Sequence, residues 1–100
     1  GTISETAQTA GAEATEDAQN ATSNAITPLT AGSIIVGIAT SSAGGTHSWT
    51  SGLTNWSLRN TGTSTLVSGY LENAPATELT AEANTVVRQH NILAAFAPAP

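Results

Sequence analysis

One hundred residues allow a single small domain with one core. The chain carries 2 Lys+Arg against 7 Asp+Glu, a formal net charge of -5, which argues against nucleic-acid binding and against attraction to an anionic membrane surface. With Cys 0, disulfides and thiolate metal sites are excluded, and no apolar run approaches the ~20 residues of a membrane helix.

Charged residues are only 9% of the chain and hydrophobic ones 39%. Thr, Ala, Ser, Asn and Gly stand where charge is missing; the low charge, with Thr, Val, Ile and Trp as strand formers, favours half-buried sheet over a solvated coil. The sequence opens on Gly1, with no initiator methionine and no signal peptide, so it reads as a processed product or as part of a longer polypeptide.

Residues 1–26 form a Thr/Ala/Glu-rich N-terminal region, and residues 27–100 the β body. No apolar stripe larger than alanine recurs at helical spacing in the first 25 residues, so a helix there would have nothing to bury. Strands are expected near 3–9 and 20–26, with an exposed acidic loop over 11–17. TPLTAG is turn chemistry, Pro28 fixing φ and Gly32 permitting a positive one. SIIVGIAT, residues 33–40, is a short, nearly continuous apolar run, the pattern of a central strand buried on both faces.

Short strands follow at 46–50 and 54–60, joined at Ser51-Gly52, and NTGT is a further turn. STLVSGYLE, 64–72, is a strand whose Gly69 marks a candidate bulge, and NAPA ends it. In TELTAEAN, Leu79, Ala81 and Ala83 alternate with Glu78, Thr80 and Glu82, which sends the carboxylates to water. The last strand is expected over 86–97, stopped by PAP. Short strands at regular spacing with turns between them indicate an antiparallel sandwich or barrel of seven or eight strands.

TAGSIIVGI (30–38), WTSGLT (49–54), TELTAEA (77–83) and ILAAFAP (92–98) resemble successive pieces of a jelly-roll-like β-sandwich domain recurrent in phage virion proteins and in some bacterial surface proteins. The resemblance covers most of this chain but only the second half of such a domain. It implies an all-β, antiparallel, jelly-roll-like fold, with missing strands supplied upstream in a longer chain or by another subunit. It also implies an incomplete sandwich, whose open edges and apolar face favour association with neighbours.

The residues that invite a chemical reading are few. His47 and His90 show no ligand spacing, so no metal site is assigned. No G-x-S-x-G elbow occurs and Asp17 is the only aspartate, so no catalytic residue or cofactor is assigned either. Glu78 and Glu82 share a strand face as a solvated pair, not as glycosidase carboxylates.

His47, Trp49, Trp56 and Tyr70 are candidate glycan or subunit contacts, as an aromatic platform for sugar stacking. Against that, a chain so poor in large apolar residues needs a tryptophan for its core. Asn20 and Asn55 head N-x-S/T sequons and are candidate glycosylation sites.

The composite expectation is a non-enzymatic structural protein of a phage virion, a decoration, fibre or tail subunit, located in the virion or outside the cell. Strands 33–40 and 86–97 would supply its core, while polar Thr/Ser faces and the N-terminal strands would contact copies of itself or other subunits. The alternatives are an extracellular filament or surface-layer subunit completed by a donated strand, and a carbohydrate-binding or host-adhesion module that takes surface glycans on exposed aromatics.

Overall fold

The structure, a computed structural model, describes residues 3–14, 22–42, 47–84 and 89–99. Its regular elements are all strands: β1 (Ile3–Ala14), β2 (Thr22–Ile26), β3 (Ser33–Ser41), β4 (Ser48–Ser51), β5 (Thr54–Asn60), β6 (Thr65–Ala74), β7 (Leu79–Asn84) and β8 (Gln89–Pro98). All pairings are antiparallel. They build a five-stranded sheet in the order β1-β8-β3-β6-β5 and a three-stranded sheet in the order β2-β7-β4.

The pairings β1 with β8, β2 with β7 and β3 with β6 are nested. The chain is thus one long hairpin folded back on itself and rolled up, successive rungs falling alternately in the two sheets. This is the jelly-roll plan of an antiparallel β-sandwich. At the tip of the hairpin, β4 stays in the small sheet while β5 crosses to pair with β6 in the large one.

Local chemistry explains the turns. Gly32 has φ 89 and donates its N–H to the Ala74 carbonyl at 2.8 Å, tying the start of β3 to the end of β6. In the β5–β6 hairpin, Gly62 has φ 88 and its N–H donates to Asn60 Oδ1 at 2.8 Å, an Asx turn of the kind NTGT encodes. Pro75 follows directly on the last residue of β6, where a proline removes a ladder donor.

Two expectations need correction. The acidic loop placed at 11–17 is strand as far as Ala14, with Gly11 opposite Ile92 and Glu13 opposite His90; its remainder, 15–17, and residues 20, 21 and 86–88 lie outside the described residues. The 33–40 strand is central, between β8 and β6, but it is buried on one face only. Ile35, Gly37 and Ala39 point into the sandwich, whereas Ile38 on the other face is 44% exposed. The three-stranded sheet covers one side of the large sheet, and nothing in this chain's described residues covers the other.

The core lies between the sheets. Ile35 and Leu93 are fully buried from the large sheet, facing Ile26, Ala81 and Ala83 from the small one. The indole of Trp49 fills the centre. It lies across Gly37 and Gly69, which are directly paired between β3 and β6: a Cβ on Gly37 would come within 2.8 Å of Trp49 Cζ2, and one on Gly69 within 2.8 Å of Trp49 Cδ1. In the β3–β6 ladder Gly69 is thus half of a seat for a ring, and in the β5–β6 ladder it stands beside a register shift whose extra residue lies on β5. Burying an indole removes about 150–250 Å² from water, about 4–6 kcal/mol at ~25 cal/mol per Å², so one large residue substitutes for several small ones.

Candidate functional site

Strand alternation divides β3, β6 and β8 into two sets of residues. The set facing the small sheet is the core. On the opposite face, the register aligns Tyr70, Val36 and Ala94 in one row, and Ser68, Ile38 and Ile92 in the next. Ile34 pairs with Phe96 at one end of this face, and Thr40 lies between Leu66 and His90 at the other. Its apolar residues are half-buried or exposed, reaching 55% at Ile92. On β1 the residue opposite Ile92 is Gly11, which has no side chain to cover it.

Charge is absent from the middle of this face and present at its two ends. Glu72, exposed on β6, borders the Ile34 end, where it lines an open recess of about 410 Å³ with Ile34, Val36, Trp56 and Tyr70. Arg59, exposed on β5, stands opposite Leu66 at the other end, the end that also holds His90.

Trp56 reaches this face through a β-bulge. The register of β5 against β6 shifts between Asn55 and Ser57, leaving Trp56 as the extra residue, and a bulge re-aims such a side chain. Its ring meets Tyr70 edge-on, with centroids 6.3 Å apart and planes at 83°. Trp56 is 68% exposed, whereas Trp49 is only 3% exposed. The four candidate contact residues are thereby split. Trp49 belongs to the core, Trp56 and Tyr70 form an aromatic pair on the outer face, and the platform of two tryptophans does not form.

His47 is also buried, against Ala39, Ser41, Thr65 and Val67 on the inner side of the large sheet, and its Nε2 has no hydrogen-bond partner among the described residues. His90 stands on the outer side of the same sheet, so the two histidines do not converge. Among the described residues no three His, Cys, Asp or Glu side chains gather in a way that could hold a metal ion.

Asn55 has a structural task that its sequon conceals. Its Oδ1 accepts the Trp49 N–H at 2.7 Å and its Nδ2 donates to the Trp49 carbonyl at 2.9 Å. One side chain thus imitates a strand partner and clips β4 to β5 across the corner where the chain changes sheets. At the corner itself Gly52 has φ 85 and packs against the β7 backbone, while Leu53 is buried. Asn20, the other sequon asparagine, lies outside the described residues.

Glu82 is likewise held by neighbours. Its carboxylate accepts from Ser23 on β2 at 3.2 Å and from Thr50 on β4 at 3.3 Å, bracing the three strands of the small sheet. The outer apolar face escapes a sequence reading because its residues look like core; the telling signal is SIIVGIAT, a run apolar at successive positions, which requires cover on both sides. No family model, curated protein or solved structure matches the chain.

Proposed function

We propose that this protein is a non-enzymatic structural subunit of a phage virion, a decoration, fibre or tail component, working by packing against neighbouring subunits in the virion or outside the cell. The observation that carries the reading is the apolar outer face of the five-stranded sheet, with Ile38 and Ile92 about half exposed. Monomeric soluble proteins rarely leave a contiguous apolar patch of more than a few hundred Å² open to water, so such a face favours assembly. The jelly-roll plan suits the reading, being common in capsid and lectin domains, and so does the resemblance carried by residues 30–38, 49–54, 77–83 and 92–98. The contact surface favoured is this apolar face, in place of the polar Thr/Ser faces expected from sequence.

Immunogold electron microscopy of particles from the native source tests this: label at regular positions on purified particles is expected, and unlabelled particles with the chain left in the supernatant would overturn it. A second reading has its own observation. The Trp56–Tyr70 pair beside Glu72 borders a recess of a size that takes small ligands, so a carbohydrate-binding or adhesion module would use Trp56, without Trp49. Quenching of Trp56 fluorescence by a polysaccharide, lost in Trp56→Ala, would favour it.

A further inference from the structure

We infer that the partner for the outer face is a second copy of this chain, packed face to face about a two-fold axis that lies in the interface and perpendicular to the strands. This rests on the assembly reading above and adds the partner and its orientation. Two observations carry it, area and charge.

The nine residues of β3 rise about 3.4 Å each and five strands lie about 4.8 Å apart, so the face measures about 30 by 24 Å, or about 700 Å². A stable interface of standard size buries about 600–1,000 Å² per partner. The face is therefore large enough for a self-association of ordinary size, with Ile38, Ile92 and Val36 at its centre, where an interface is driest.

Glu72 on β6 and Arg59 on β5 favour one orientation. A two-fold axis in the interface and across the strands superposes the Ile34 end of one copy on the Thr40 end of the other. Glu72 of each copy then lies over the end of the other that holds Arg59 on the adjacent strand, giving two identical ion pairs per dimer. An axis parallel to the strands would instead place like ends together, leaving Glu72 without a cation opposite it and setting Arg59 over the register position of Glu13 on the partner's β1; only the first arrangement pairs Glu72. Trp56, at the β5 edge, is covered by the same packing.

Sedimentation velocity and light scattering test this on the intact chain. The wild type is expected to associate to twice its 10.0 kDa mass. Ile38→Lys and Ile92→Lys, both at exposed positions, should each abolish association while far-UV circular dichroism and melting temperature stay unchanged. Glu72→Arg alone and Arg59→Glu alone should each weaken association about tenfold or more, through like-charge juxtaposition, and the double reversal should restore it.

A wild type monomeric up to about 1 mM, where binding is worth only about 4 kcal/mol, overturns the self-partner; if particles are still labelled, the face packs on another subunit and the assembly reading stands. Association lost in Ile38→Lys but indifferent to the charge reversals overturns the orientation. Loss of association in both single reversals with no recovery in the double also overturns it.

Discussion

Gly37→Ala separates a strand glycine that is merely tolerated from one that the core requires. On an ordinary strand the change should stabilise, because alanine restricts the unfolded chain by about 0.4–1 kcal/mol. Here the new methyl would lie 2.8 Å from Trp49 Cζ2 and 3.0 Å from Cη2, and closer still to Leu53 Cδ1. Carbon atoms pack best at about 3.5–4.0 Å, so the ring must shift by several tenths of an ångström inside a core closed by both sheets. Overpacking of this kind costs about 1–3 kcal/mol, and at the middle of that range the unfolded-state gain leaves a net loss of about 1–2 kcal/mol. At about 4–8 °C per kcal/mol for a domain of this size, the melting temperature should fall by about 4–16 °C.

The assay is denaturant and thermal unfolding followed by far-UV circular dichroism, in a cycle with Trp49→Leu. Removing the ring opens the space, so the Gly37→Ala penalty should shrink by about 1 kcal/mol or more in that background. A Gly37→Ala protein that melts at or above the wild-type temperature refutes the reasoning. So does an equal penalty with and without Trp49.

Gly52 and Gly62 share a left-handed backbone, with φ 85 and φ 88, yet differ in their surroundings. A Cβ on Gly52 would come within 2.6 Å of the Thr80 carbonyl oxygen, whereas one on Gly62 meets nothing within 4 Å. Gly62→Ala should therefore cost only the backbone penalty of about 1–2 kcal/mol, and Gly52→Ala measurably more, as read by chemical denaturation; equal losses would refute the contact. Asn55→Ala removes both hydrogen bonds of the β4–β5 clip and should cost about 1–3 kcal/mol, and Asn55→Asp, which sets a carboxylate oxygen against the Trp49 carbonyl in place of the Nδ2 donor, should cost at least as much. In dilute solution Trp56→Phe should leave a blue-shifted emission resistant to acrylamide, and Trp49→Phe a red-shifted, readily quenched one; identical spectra would contradict the burial of one tryptophan and the exposure of the other.

Much of the fold is written in local chemistry. Gly32 and Gly62 turn where TPLTAG and NTGT place them, and β5 occupies the expected residues 54–60. In β7 the inward Ala81 and Ala83 are fully buried, as the alternation in TELTAEAN requires. The junction expected at Ser51-Gly52 is a corner that joins β4 in one sheet to β5 in the other. The exposure of Trp56 was not legible in this way, because it depends on one extra residue in the register of β5 against β6. Nor was the task of Asn55, whose two bonds reach back to Trp49 across a change of sheet.

The sequence by itself determined that the described elements are strands, where most of the turns between them fall, and that the core needs a tryptophan, since these follow from φ preferences, side-chain alternation and composition. Only the tertiary structure decided which apolar residues are covered. Ile35 and Ile38 are both apolar residues of one strand, yet the first is sealed under the small sheet while the second faces outward. Burial is set by the number of strands available to form a second layer. Three strands close one face of a five-stranded sheet, and the apolar face left over becomes the surface through which the protein is proposed to act.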